Sequence, residues 1–230
     1  MLDDIKCHQT DTLPLETVLP LESPRSYAIL PAAGRSRRMG EPKLLLPWAG
    51  NTVIDQVLRT WTESSVDHVV IVVRGSDVSL RRACEKWPVS VVTPYRDPQD
   101  MKESLLVGLE WLGETLAPSD HEPCFLTPAD VPSISHDLIE PLLDFYQGLL
   151  AAADKGTTPL PLVLPRFGGR AGHPSLFSWE ATRQIAGLGD EEGLNRLVAQ
   201  LPKRYVNFPA DARLPDIDTP AEYRKLRRGT

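Results

Sequence analysis

The chain has 230 residues, 41% of them hydrophobic, and a net charge of −6 from 31 acidic and 25 basic side chains. That length can bury one sizeable core or two small ones. The acidic balance excludes a general nucleic-acid binder, whose surface is basic, and no run approaches the ~18 apolar residues of a membrane span.

Residues 1–25 are polar with scattered Leu and Pro, and read as a poorly ordered N-terminal extension; residues 26–230 read as one domain. Early acidic residues and the lack of an apolar stretch argue against a signal peptide. "SYAIL" (26–30) reads as a short buried strand that runs directly into a Gly-Arg loop. Val53, Ile54, Val57, Leu58 and Trp61 have helical spacing, with Asn51 or Thr52 placed to cap. "DHVVIVVRG" (67–75) is the continuous β-branched run of a strand buried on both faces. A short helix (77–87), a strand (89–94) and an amphipathic helix (101–116) follow. "PCFLTPADVP" (123–132) reads as a strand ending in a turn that carries Asp130. A helix over 135–156 has Pro141 near its first turn or kinking it. A strand (160–165), a glycine-rich turn (166–177), two helices, a late strand "RYVNFP" and a last helix within 216–226 complete the chain.

Strand and helix alternate throughout, which predicts an α/β fold of Rossmann-like, three-layer type: a mostly parallel sheet with helices on both faces. Insertion-like loops fall around 95–101 and 166–174. The three cysteines are far apart and form no CxxC or zinc spacing, so they read as thiols of a reducing, cytoplasmic setting, with Cys84 and Cys124 as packing residues.

Ligands of open α/β sheets bind beyond the carboxyl ends of the strands, where the loop after the first strand lies. There the chain reads "PAAGRSRRMGEPK". Glycines let backbone N–H groups approach an anion, and arginines match phosphate oxygens. The loop is neither a GxxxxGK[ST] phosphate loop nor a GxGxxG fingerprint.

"AAGRSRRMGEPK" does match AAGxSxRMGxPK, and so resembles the signature loop of nucleotidyltransferases that move an NMP from an NTP to a small phosphate. Within that group it resembles the MobA-like enzymes, molybdenum cofactor cytidylyltransferases in particular. "DMKESLLVGL" is similar to the family's GMxxSLxxGL, with Asp100 replacing a glycine. "LTPADVP" stands where the family has a strand ending in GDMP or ADMP. "GRAGHPSLF" resembles RGHPxLF, with Ala171 inserted between Arg170 and Gly172. "GDEEGLNRLV" and "DIDTPAEY" resemble GDxGxRxLL and DIDTPEDY. The resemblance runs in order over residues 27–226.

The resemblance implies that Ala32, Ala33, Gly34 and Ser104 shape a nucleotide pocket, that Arg38 holds the outer phosphates, and that Lys43 neutralises charge at the α-phosphate or on the incoming phosphate. Ser104 reads equally well as a helix N-terminal hydroxyl. Arg35 and Arg37 fall on variable positions of the motif and read as solvated. Asp130 ends a central strand, where a carboxylate can hold Mg²⁺ or merely cap a turn. Asp216 and Asp218 offer a second carboxylate, unless one of them caps the last helix with Thr219; the resemblance favours Asp216 for metal. "GRAGHP", with Arg170, Gly172 and His173, reads as a loop shaping the acceptor pocket. No general base is needed, since the acceptor is already a phosphate anion.

The expected activity is therefore Mg²⁺-dependent transfer of CMP from CTP to a phosphorylated small molecule, molybdopterin by resemblance, with release of pyrophosphate. A molybdoenzyme would be the partner receiving the product. The resemblance ties Ala-Ala-Gly loops to cytidylyl transfer and Ala-Gly-Gly loops to guanylyl transfer, because the methyl of Ala33 narrows the space for a purine. Pro31 departs from the usual Ala, Leu or Thr. The alternatives are a same-fold transferase using GTP or a sugar phosphate, and a non-catalytic cofactor-binding or delivery protein.

Overall fold

The computed structural model describes residues 24–153, 161–189, 191–212 and 216–227. Apart from Pro24 and Arg25, the expected N-terminal extension lies outside the described residues, as does Cys7. Arg25 already belongs to the domain. Its backbone N–H donates to Glu122 Oε1 at 3.0 Å, and its guanidinium donates to Leu116 O at 3.1 Å.

The main sheet has eight strands. In space seven of them run β10 (Lys203–Phe208), β7 (Leu162–Phe167), β9 (Ser175–Ser178), β6 (Pro123–Leu126), β1 (Tyr27–Pro31), β4 (His68–Val72) and β5 (Ser90–Val92), with the short β8 (Arg170–Ala171) beside β7. β1 lies inside the sheet and pairs in parallel with β4 and β6, Ile29 standing between Val70 and Leu126. A two-stranded hairpin, β2 (Pro47–Trp48) and β3 (Asn51–Thr52), stands apart from the sheet.

Alternate residues of β1 feed opposite faces of the sheet. Ala28 and Leu30 pack in one core with α1 (Val53–Thr62), α2 (Val78–Cys84) and α4 (His136–Ala152). Tyr27 and Ile29 pack in the other with α3 (Met101–Leu116), α5 (Trp179–Thr182) and α6 (Leu194–Gln200). This is the expected three-layer architecture. Cys84 and Cys124 are free thiols packed in these layers.

Helix starts follow local chemistry. Thr52, not Asn51, caps α1 through a reciprocal capping box with Asp55. Asp100, which replaces the family glycine, caps α3: its backbone is extended (φ −142°) and its carboxylate accepts from Glu103 N–H at 2.8 Å. Pro141 sits inside α4 beyond the first turn.

Two expectations need correction. The glycine-rich turn expected over 166–177 holds β8 and the first three residues of β9, and β9 runs antiparallel to both β6 and β7. All four of its residues are buried, so the stretch shows no alternation from which a strand could be read. The helix expected at "EATRQIAGL" is one turn of α-helix, α5, continued as a 3₁₀ segment, Arg183–Gly187.

Candidate active site

The cleft lies at the carboxyl ends of β1 and β6, and backbone pairing beyond the strands brings its walls together. Ala32 N–H donates to Val72 O at 2.9 Å, carrying the first loop past the end of β4. Thr127 and Ala129 N–H groups donate to Ile29 O and Pro31 O at 3.3 and 3.2 Å. That continuation sets Asp130 beside the root of the first loop. Ile217, fully buried, donates its N–H to Asp130 O at 3.1 Å. With Ile217 buried in the core, Asp216 and Asp218 flank it, and of the two Asp218 lines the cleft. The last helix, α7 (Pro220–Arg227), is tied down by Tyr223, whose hydroxyl donates to Pro47 O at 2.5 Å. Thr219 supplies its N-terminal cap, accepting from Glu222 N–H at 3.3 Å. Neither Asp216 nor Asp218 has that duty.

The first loop turns tightly: Met39 and Gly40 N–H groups both donate to Ser36 O, at 3.0 and 3.1 Å. Gly40 has φ +74°, a conformation that favours glycine, and so explains the second glycine of the motif. Ser36 Oγ accepts from Lys43 N–H at 3.3 Å, which orients the lysine.

The resulting cleft measures about 690 Å³. Ala32, Ala33, Gly34, Arg38, Lys43, Ser104, Asp130 and Asp218 all line it, so most of the sequence-derived residues converge. Lys43 Nζ donates to Asp130 Oδ2 and lies 3.3 Å from Asp218 Oδ1. Arg38 Nη2 lies 2.9 Å from Asp218 Oδ2. Ser104 is buried and its hydroxyl donates to Asp100 O at 3.1 Å, the contact of a helix N-terminal hydroxyl.

Asp216, Arg170, Gly172 and His173 are not among the lining residues. Asp216 nevertheless belongs to the same charged group. Burial holds its carboxyl above the usual carboxylate range, the Asp130 charge pushes it further up, and His173 opposes the shift. His173 thus stands near the carboxylates. Arg170 is exposed on β8, and Gly172 N–H donates to Pro165 O at 3.1 Å.

Two features escaped the sequence reading. Arg35 is not simply solvated: it lines the cleft and pairs with Asp97 at 3.2 Å, and Asp97 also accepts from Ser76 Oγ at 3.2 Å. Arg37 lines the cleft as well. The far wall is the loop after β5, with Asp97, Pro98, Gln99 and Asp100. Its position past a strand's carboxyl end was the available signal.

The arrangement suits a polyphosphate, with two cations at the loop and a carboxylate cluster opposite. For a divalent cation, Asp130 Oδ1 is buried with no hydrogen-bond partner, and the donors are oxygens, which fits Mg²⁺. Among the described residues no group of three or more His, Cys, Asp or Glu converges as a closed metal cage. Mg²⁺ needs only one or two carboxylates, the rest of its shell being water and phosphate.

The sequence profile of the MobA-like NTP transferase domain matches residues 28–205. The purine catabolism protein PucB of Bacillus subtilis is 30% identical over 215 residues, covering 90% of this chain and 98% of PucB. The molybdenum cofactor cytidylyltransferase of Escherichia coli is 25% identical over 197 residues, covering 85% of this chain and 92% of that enzyme. The crystal structure of Rv0371c from Mycobacterium tuberculosis superposes with a TM-score of 0.70 at 24% identity, covering 90% of this chain and all of that one, which supports the fold.

Proposed function

Because the chain belongs to the MobA-like NTP transferase domain family, we propose that it transfers CMP from CTP to the phosphate of a small pterin-type acceptor, molybdopterin, and releases pyrophosphate. The observation that carries this reading is the convergence of Arg38 and Lys43 with Asp130 at the mouth of β1. An oxygen of the acceptor phosphate attacks the α-phosphorus of the nucleotide. The bond from that phosphorus to the bridging oxygen breaks, and pyrophosphate leaves with the electron pair. The acceptor is already an anion, so no side chain need take a proton. Arg38 and Lys43 hold the phosphates and offset the charge that gathers on the leaving group. Asp130 and Asp216, with Asp218 beside them, are the residues that would hold Mg²⁺, which neutralises phosphate charge when bound.

Two observations support CTP over GTP. Ala33 is buried at the loop that lines the cleft, where its methyl would narrow the space open to a purine base. The cytidylyltransferase relative aligns along nearly its whole length. A molybdoenzyme in the cytoplasm would take up the product. The test is a competition between CTP and GTP at equal concentration, with molybdopterin and Mg²⁺, read as labelled product. CMP transfer is expected to dominate; preferential or equal GMP transfer overturns the nucleotide assignment. Nucleotide binding with no pyrophosphate release from any acceptor would favour the non-catalytic alternative.

A further inference from the structure

We propose that Asp218 is an internal stand-in for phosphate, holding Arg38 and Lys43 until a triphosphate displaces it. The proposal rests on the nucleotide reading above. Its basis is the geometry of one carboxylate against two cations. Asp218 Oδ2 lies 2.9 Å from Arg38 Nη2, and Oδ1 lies 3.3 Å from Lys43 Nζ. One oxygen for each cation is also how two non-bridging oxygens of a phosphate would meet them.

The burial of the partners separates Asp218 from Asp130. The Lys43–Asp130 pair is enclosed, each side chain 14% exposed. In the Arg38–Asp218 pair the side chains are 71% and 31% exposed. An exposed ion pair is weak, so an incoming polyphosphate can exchange for Asp218 at low cost. Among the described residues the Asp218 carboxylate contacts only Arg38 and Lys43, and on leaving them it comes free beside Asp130, where the proposed function places Mg²⁺. Thr219 and Glu222 cap α7, and Asp218 contributes to that turn only its backbone N–H, which donates to Glu222 Oε2 at 3.2 Å. Arg38, a long side chain with most of its surface in water, is thereby held over the cleft before substrate arrives. Nucleotide binding becomes an exchange of one anion for another, and it releases Asp218 next to Ile217, whose N–H is bonded to Asp130 O.

The experiment is calorimetric titration of the full chain with inorganic tripolyphosphate in EDTA, where no metal contributes. Asp218→Asn keeps the shape and one accepting oxygen while removing the charge, and circular dichroism checks its fold. It should bind tripolyphosphate about fivefold more tightly than the parent, the size of two weak ion pairs no longer competing. Asp100→Asn is the control for general charge: it removes the same charge from the same cleft, keeps the cap of α3, and makes no ion pair among the described residues. It should shift affinity less than twofold (about 0.4 kcal/mol). In an Arg38→Ala background the gain from Asp218→Asn should shrink, because one of the two contested cations is gone. If Asp218→Asn binds no tighter than the parent, gains no more than Asp100→Asn, or gains as much without Arg38, the stand-in role is wrong. If neither the parent nor any variant binds tripolyphosphate, the nucleotide reading fails and this inference falls with it.

Discussion

Lys43 and Asp130 lie 87 positions apart in the chain, yet the lysine's ammonium donates directly to the carboxylate. The contact joins the loop after β1 to the turn after β6, and both side chains are largely enclosed. It holds the loop cation at the mouth of β1, where the proposed reaction would gather negative charge. Lys43→Met removes that cation and leaves Asp130 and Asp218 facing each other without it. We expect kcat/KM to fall by about 10²–10³-fold, as for loss of a preorganised charge-stabilising donor. Stability should also drop by about 1–3 kcal/mol, because a half-buried carboxylate loses its partner. Steady-state kinetics and urea unfolding measure the two effects; an unchanged rate would remove Lys43 from the chemistry.

Arg38 should behave differently, because its side chain is 71% exposed and carries no packing. Arg38→Ala is expected to cost about 10²-fold in kcat/KM while leaving Tm within about 1 °C of the parent. A large fall in Tm would show that the residue holds the fold rather than the substrate.

Asp130→Asn tests the metal. Its Oδ1 is the buried oxygen left without a hydrogen-bond partner. We expect turnover at millimolar Mg²⁺ to be lost and Mn²⁺ binding, read by electron paramagnetic resonance, to weaken at least about tenfold. Metal-free nucleotide binding should change far less. Normal metal affinity in this variant would leave Asp130 as a turn residue and an anchor for Lys43.

Gly108 lies where α3 crosses β1 and β4. A Cβ at that position would sit 2.7 Å from Ile29 Cγ2 and 3.1 Å from Val72 Cγ2. Alanine favours a helix over glycine by about 1 kcal/mol, but overpacking a core costs about 1–3 kcal/mol. Both contacts are β-branched side chains of central strands with little room to turn, so the packing cost wins. Gly108→Ala should lower stability by about 1–2 kcal/mol in urea unfolding. A gain in stability would mean that α3 can lift from the sheet at little cost.

Asp55 gives a pH dependence. Burial alone would raise its carboxyl pKa, but hydrogen bonds from Thr52 and Trp87 and the charge of Lys86 hold it below the usual range. A carboxylate with a lowered folded pKa stabilises the fold above its unfolded pKa of about 3.9, and that contribution is lost as pH falls through the folded value. Asp55→Asn should therefore cost about 1 kcal/mol near pH 7, and the difference from the parent should shrink as pH falls through the folded value. A difference that does not change as the solution is acidified would mean that the lost stability comes from packing and not from charge.

Much of this protein is local and was open to reading. The β-branched run of β4, the spacing of α1 and the bounds of α3 follow from side-chain periodicity, which neighbouring residues set among themselves. The first loop was legible for the same reason, since its glycines, arginines and Lys43 lie within ten residues of one another. From these residues came the α/β class, the candidate phosphate loop and the family resemblance. Other features depend on residues far apart in the chain. β9 is a buried strand with no alternation, and only the pairing of Leu176 with Phe125 and Val163 shows that it runs against its neighbours. Thr219, rather than either aspartate, became the cap of α7 because Ile217 is buried against Asp130 and Glu222 closes the turn. Arg35, which reads as a solvated side chain, found Asp97 across the cleft. Lys43 came to share Asp130 and Asp218 only once parallel pairing of β1 with β6 had aligned their carboxyl ends. Composition and periodicity carry no term for a contact between residues 87 or 175 positions apart; strand order and close packing decide it.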